Sequence, residues 1–228
     1  MNLQELKELF REESVREKIR NKRRVKVLVA CEYSGVVRDA FTRKGALAVS
    51  CDLLPTDSSG LHYAGDVRDI LDFKWDAMIA HPPCTHLACS GAKHFAAKRE
   101  SGVQQEALEF VRLMMTTNIP MWALENPVGI ISTQIKKWDQ IVQPYMFGDP
   151  FTKTTCPWLH DLPPLVPTVK EEDYDKGKMQ ICKSGKKLPE WYSNAKKEDR
   201  AGIRSKTFPG LAEAMADQWL PWIERRKL

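Results

Sequence analysis

A continuous apolar run at residues 25–31, broken only by Lys26, limits what this chain can build. A strand that is apolar at consecutive positions is covered on both faces, as a central strand of a parallel sheet is. Gly35 follows, then Val36, Val37, Ala40 and Phe41 at helical spacing, and Gly45 ends that helix. The pattern then recurs. Residues 46–51 read as a second strand with Asp52 at its end, and residues 62–65 as a short third strand followed by Asp66. Residues 75–80 read as a fourth strand, 104–115 as an amphipathic helix and 120–124 as a fifth strand. Strands alternating with helical segments predict an α/β fold with a doubly wound, mostly parallel sheet.

Around that unit the pattern changes. Residues 3–21 read as an exposed helix with Leu3, Leu6, Leu9 and Phe10 on one stripe. Three uses are open to it: packing on the body, pairing with another copy as an oligomer contact, or lying along DNA. Residues 140–147 and 152–159 read as further strands. Residues 160–206 are rich in Pro, Gly and Lys without periodicity, which predicts a loop-rich insertion. Residues 211–223 form a closing amphipathic helix carrying Met215, Trp219 and Trp222. The expected organisation is a basic N-terminal helix over 1–24, an α/β domain over 25–159, a basic insertion over 160–206, and a helix within 207–228 that packs back on the domain.

A chain of 228 residues suits one domain with a small appendage. No apolar run approaches the roughly 18 residues of a membrane helix, and the charged start has no signal-peptide core. The six cysteines lack the spacing of a disulfide framework, so a cytoplasmic location is expected. The net charge of +5 is uneven. Residues 1–26 carry a net +4 and residues 176–206 a net +7, which leaves the remainder acidic. Two basic segments on an acidic body suit a polyanion such as nucleic acid; two solvated surface segments are the plainer reading.

The chemistry gathers at the predicted strand ends, where open α/β sheets bind their ligands. Residues 80–86 read Ala-His-Pro-Pro-Cys-Thr-His. The two prolines stiffen the loop and remove two backbone donors, so Cys84 is a thiol held just past a strand. Residues 121–127 read Met-Trp-Ala-Leu-Glu-Asn-Pro and place Glu125 past the next strand. Glu32 and Gly35 follow the first strand, and Asp52 lies 21 residues after Cys31, a spacing that fits an acid on ribose hydroxyls. Asp66 is placed to take an adenine amino group. Each acid alone also reads as a helix N-cap or a turn; three in order favour adenosine. His81, Cys84, His86 and Cys89 invite a zinc reading. Their spacings are not those of a zinc site, so no metal is expected, and Cys89 reads as a small buried residue.

These motifs resemble the DNA (cytosine-5) methyltransferase family, most closely its small stand-alone bacteriophage members. Pro83-Cys84 matches that family's nucleophile motif, Glu125-Asn126-Pro127 resembles its Glu-Asn-Val, and Asp52 and Gly65-Asp66-Val67 match its cofactor acids. The resemblance implies a Rossmann-like fold that uses S-adenosylmethionine, with S-adenosylhomocysteine as product. It implies methylation of C5 of a flipped cytosine in double-stranded DNA through a Cys84 adduct. Pro83, Cys84, Glu125 and Asn126 would be catalytic. Glu32, Tyr33, Ser34, Gly35, Asp52, Leu53, Asp66, Val67, His81 and Pro82 would line the cofactor. Glu125 would need a carboxyl pKa raised by burial to serve N3 of the base.

The departures are informative. The family's Phe-x-Gly-x-Gly loop is reduced to Cys31-x-Tyr33-x-Gly35, its Gln-x-Arg-x-Arg motif is replaced at best by residues 153–155, and its recognition domain is missing or shrunk to residues 160–206. DNA contact is therefore expected from Lys153, Lys183, Lys186, Lys187, Arg200, Arg204 and Lys206, with short or low sequence specificity. The rival readings are methylation of RNA, of a free nucleotide or of an exocyclic amine, and a nucleic-acid-binding module without catalysis.

Overall fold

The apolar run becomes β1 (Lys26–Ala30), and every residue of it is buried. Val27 and Val29 enter one core, Leu28 and Ala30 the other, so both faces of the strand are covered. In this computed structural model, which describes residues 1–20, 23–181, 185, 187–194, 196, 202 and 205–226, β1 lies at the centre of the sheet. β2 (Leu47–Asp52) and β4 (Ala77–Ala80) flank it, both parallel. β3 (His62–Ala64) extends the sheet beyond β2, and β5 (Met121–Asn126) beyond β4. β6 (Cys156–His160) closes the β5 edge antiparallel. The order β3-β2-β1-β4-β5-β6 makes a mixed, mostly parallel sheet consistent with Rossmann-like methyltransferase topology. The strand order reverses between β1 and β4, which opens a crevice at their carboxyl ends.

The apolar periodicities sort the helices to the two faces. α1 (Leu3–Arg20) places Leu6 in the core under Leu28 and Ala30, which it shares with Leu108, Val111 and Met114 of α4 (Val103–Met115). α2 (Val36–Arg43) and the final helix, α7 (Pro209–Arg226), cover the opposite face through Val37, Phe41, Leu211, Met215 and Trp219. Of the three uses open to α1, packing on the body is the one observed. Phe10 meets the Phe73 and Trp75 rings edge-on at 5.3 and 4.8 Å, and Glu17 pairs with the buried Lys26 at 3.3 Å. These contacts lie at the amino ends of β1 and β4, away from the crevice.

Residues 140–147 do not form a strand. Val142 makes an isolated bridge to Thr155; Pro144, which has no N–H for a ladder, starts a 3-10 turn through Phe147 that Gly148 ends at φ 91°. The insertion holds more structure than its composition suggests: β7 (Met179–Ile181) pairs antiparallel with β8 (Lys187–Pro189), and α6 (Glu190–Ser193) follows. Strands of three residues are too short to show a period. Trp158 is fully buried, with its indole N–H on the Lys136 carbonyl at 2.6 Å. Among the described residues, no helix is long and apolar enough to cross a membrane.

Candidate active site

The Cys84 loop is built by β1, β4 and β5 together. His81 N–H donates to the Ala30 carbonyl at 2.9 Å, carrying the β4 pairing one residue past the strand. Pro82 has no N–H to give, but its carbonyl accepts from Asn126 Nδ2 at 2.7 Å. The buried Asn126 side chain thus takes over where the ladder stops. The Cys84 carbonyl then accepts from Leu87 and Ala88 N–H at 3.0 and 2.9 Å, turning the chain sharply after the half-buried thiol. Further bonds fix the outer turn. Leu87 C=O accepts from Ile130 N–H and Val128 C=O from Cys89 N–H, both at 3.0 Å. Gln104 and Lys98 donate to the His86 and Thr85 carbonyls at 3.0 and 2.5 Å. Gly129 sits where a Cβ would collide with the Leu87 carbonyl, so the loops after β4 and β5 touch backbone to backbone.

Glu125 occupies the next position along this edge. Ala80 is in register with Leu124, so His81 and Glu125 are neighbours, and His81 Nδ1 lies 3.1 Å from Glu125 Oε2. Burial pushes the Glu125 carboxyl up. The hydrogen bond from His81, the charge of Lys153 and the Thr155 hydroxyl pull it down, and the balance falls below the ordinary carboxylate value. The expected raised carboxyl is therefore not found, because polar partners from β4 and from the segment before β6 outweigh desolvation. The His81 Nε2 and Asn126 Oδ1 atoms are buried without a partner, two unsatisfied polar atoms within one small region.

On the other side of the crevice the acids are already engaged. Cys31 adopts a left-handed backbone at φ 59°, an uncommon state for a side-chain-bearing residue, and turns the chain at the end of β1. Glu32 then caps α2: Oε1 accepts from Val37 N–H at 2.7 Å and Oε2 from Arg38 N–H at 3.2 Å. Ser34 adds a bond to Glu32 at 3.3 Å, and Gly35 opens the helix at φ 75°. Asp52 accepts from Leu54 N–H at 2.9 Å, which leaves Leu53 78% exposed beside it. Asp66 caps the 3-10 turn that holds the buried Val67, accepting from Arg68 N–H at 2.9 Å. Both aspartates carry the cap or turn role open to them in the sequence, and both stay on the carboxyl edge of the sheet.

Behind these acids lies a group of residues that the sequence reading missed. Arg38 is fully buried and donates to Asp39, Ser50, Thr56 and Ser58 side chains and to the Ser59 carbonyl. Ser50 Oγ is 2.9 Å from His62 Nδ1, and His62 Nε2 is 3.0 Å from the Leu54 carbonyl. A carbonyl can only accept, so His62 carries its hydrogen on Nε2 and accepts from Ser50 on Nδ1. The result is a one-way chain from Arg38 through Ser50 and His62 to the loop after Asp52. Periodicity places Val36 on the inward face; in the fold Arg38 is fully buried and Val36 only partly. The hydroxyl-rich stretch at residues 56–59 was the one available signal.

The basic residues divide. Lys187 is exposed at the start of β8. Lys153 Nζ donates to the Lys206 carbonyl at 3.0 Å and lies 5.7 Å from the Phe208 ring, with its charge felt at Glu125. Lys206 pairs with Asp57 at 2.7 Å and stands 5.8 Å over the Tyr33 ring. Lys183, Lys186, Arg200 and Arg204 lie outside the described residues. Tyr33 itself bonds Ser205 at 3.1 Å, tying the first loop to the segment before α7. Trp191 packs on Phe151, Tyr192 and Phe208. Cys89 is exposed rather than buried: it begins a 3-10 turn whose backbone N–H meets the Val128 carbonyl of the β5 loop. Among the described residues no His, Cys, Asp or Glu group is arranged to hold a metal.

No protein-family model matches this chain, and no curated protein matches it. Among solved structures it is similar to an Escherichia coli protein described as a candidate DNA modification methyltransferase encoded within a prophage. The identity is 17%, the TM-score is 0.39, and the match covers 59% of this chain and 46% of that one. The chain thus spans less than half the length of that structure.

Proposed function

We propose that this chain transfers a methyl group from S-adenosylmethionine to C5 of cytosine in DNA, with Cys84 as the nucleophile. The observation that carries the reading is the arrangement at the β4 and β5 ends. A Pro-Pro-Cys loop and a Glu-Asn pair leave adjacent parallel strands, and Asn126 holds the Pro82 carbonyl at 2.7 Å. A thiol and a carboxyl carried by adjacent strand ends suit one demanding task. C5 of cytosine is a weak nucleophile until sulfur adds at C6. Cys84 as thiolate forms the C6–S bond, N3 takes up a proton from the Glu125 side, and C5 gains enamine character. Later, loss of the C5 proton to a base and cleavage of C6–S regenerate the thiolate and return the N3 proton. The base must leave the duplex stack to reach this pocket.

The cofactor reading rests on the donor set across the crevice. Asp52 and Asp66 offer carboxylates at adjacent strand ends, and the exposed Leu53 gives an apolar surface beside Asp52 for an adenine ring. S-adenosylmethionine, when bound, supplies the electrophilic methyl group. Gly35 and Tyr33 would border its methionine end; Glu32 would act indirectly there, because its carboxylate is occupied by α2 amides. Pro82 and His81 would form the floor between the two halves.

A duplex containing 5-fluorocytosine tests the reading, since fluorine at C5 blocks elimination. A covalent protein–DNA adduct should form with the wild type and be lost in Cys84→Ser. Adduct formation in Cys84→Ser at the wild-type rate would remove Cys84 from its role. Bisulfite sequencing of plasmid DNA from expressing cells should show protected cytosines.

A further inference from the structure

The ribbon of β7 and β8 presents two different faces. Side chains alternate along a strand, so Gln180 of β7 turns towards α6, where Ser193 Oγ donates to its Oε1 at 2.7 Å. Met179 and Ile181 turn the other way and are 45% and 67% exposed. The register sets Met179 opposite Pro189 and Ile181 opposite the exposed Lys187, all on that outer face. A lone exposed apolar side chain needs no explanation; two together on an uncovered ribbon do. The charge around them points to the partner. Residues 176–189 hold five lysines and no acidic residue, so what covers the face is a polyanion that also offers apolar groups.

Building on the DNA reading, we propose that this outer face lies in the major groove and recognises thymine by its C5-methyl group. The dimensions agree. The groove is about 12 Å wide and admits a two-stranded ribbon, whose strands lie about 5 Å apart. The chemistry agrees as well. Each base pair shows the major groove its own set of donors and acceptors, and thymine alone among the unmodified bases adds a methyl group. Met179 and Ile181 side chains have no hydrogen to donate, so a methyl group is what they can recognise. Lys187 meets backbone phosphate at the groove wall, which positions the ribbon without reading sequence.

The ribbon is rooted where such a contact matters. Thr152 Oγ1 donates to the Lys176 carbonyl at 2.9 Å, and at Gly177, with φ 70°, a Cβ would collide with the Pro150 carbonyl. Past the ribbon, Glu190 N–H donates to the Lys178 carbonyl at 2.9 Å, and the Trp191 ring packs on Phe151 and Phe208 with centroids 6.1 and 5.5 Å away. The next residue after this root is Lys153, whose charge is felt at Glu125. The reading face and the Glu125 strand end thus share one frame, so the thymine lies close to the target cytosine. Two polar side chains of the same segment are engaged within it, Gln180 with Ser193 and Asn194 with Glu190 at 3.4 Å. The apolar face is what the ribbon leaves open.

Fluorescence anisotropy with two labelled duplexes tests the assignment. In one, every cytosine is flanked by thymines; in the other, uracil, which lacks only the methyl group, replaces every thymine. The wild type should bind the thymine duplex about four- to fifteenfold more tightly, as burial of one or two methyl groups gives. The double variant Met179→Ser, Ile181→Ser, changed at exposed positions, should bind both duplexes alike. It should keep the wild-type salt slope, because the lysines are untouched. Equal binding of the two duplexes by the wild type would overturn the methyl readout, and that measurement needs no variant. A thymine preference that survives in the double variant would overturn it too, by placing the reader elsewhere. Self-association of the wild type that the double variant abolishes, with equal binding of both duplexes, would make the face a contact between copies and overturn it as well. Salt-dependent binding without a thymine preference leaves the DNA reading standing; absence of binding to either duplex removes both.

Discussion

Single side chains at the crevice carry separable duties. Asp66 spends one oxygen on the Arg68 amide and pairs through the other with the Arg68 guanidinium at 3.3 Å, a weak exposed bridge that a ligand can displace. Asp66→Ala should weaken S-adenosylmethionine binding by about 1–3 kcal/mol in calorimetry, the penalty for an unpaired ligand donor. Unchanged affinity in both Asp66→Ala and Asp52→Ala would move the cofactor elsewhere. His62 makes a different prediction, about pH. Burial holds it below its ordinary value, against the bond to Leu54, which raises it. The unfolded chain therefore takes up a proton before the folded one does. Stability should fall as pH drops below about 6.5, with a slope of up to about 1.4 kcal/mol per pH unit from this group. Denaturant midpoints compared between wild type and His62→Gln would check it, the variant being expected to lose part of that slope.

Among the elements, the loops after β4 and β5 form one unit, because Gly129 brings their backbones into contact. Gly129→Ala needs no unusual φ, so its effect is purely a collision with the Leu87 carbonyl. It should lower stability by about 1–3 kcal/mol and, on the proposed cytosine reading, slow 5-fluorocytosine trapping at least about tenfold, the effect of moving a reacting group by about an ångström. Full trapping activity would show that the Cys84 turn tolerates the shift.

What could be read beforehand follows from the same contrast. The central strands were legible at β1, β2, β4 and β5, because strands buried on both faces leave an unbroken apolar record. So were the strand-end positions of Cys84, Glu125 and Asn126, since Pro-Pro-Cys and Glu-Asn mark strand ends directly. Arg38 and His62 were not, because a buried polar cluster is assembled from four separate segments and leaves no period in any of them. The lowered Glu125 carboxyl was hidden for a related reason: its partners, His81 and Lys153, are 44 residues before it and 28 after it in the chain.

For the whole molecule, nucleic-acid binding should show in its salt dependence. Each phosphate contact adds about −0.9 to the slope of log K against log salt, so neutralising Lys183, Lys186 and Lys187 should flatten it. A slope near zero for the wild type would favour a free-nucleotide substrate. Sequence readout should be short, on the order of two base pairs, since each bidentate base contact gives about 1–3 kcal/mol of discrimination and the candidate readers among the described residues are few. Gln180 is bonded to Ser193 at 2.7 Å, Asn194 is bonded to Glu190 at 3.4 Å, and Trp191 is packed among aromatic rings. Methylation mapped at single-base resolution and confined to a motif of four or more defined bases would contradict this.

The cover over β1 also sets a schedule for synthesis. One face of that strand meets α2 at once, but the last part of its shelter is α7, whose Leu211, Met215 and Trp219 come some 170 residues after Phe41. At about 5–20 residues per second a ribosome needs roughly 10–35 s to make what lies between. Throughout that interval Val27, Val29 and Phe41 belong to a half-closed sheet, and the Cys84 and Glu125 strand ends are made before the closing helix arrives. The chain is most exposed to aggregation and to chaperones in this window, and low-temperature expression, which slows misassembly of bare apolar faces more than it harms folding, should raise the soluble yield.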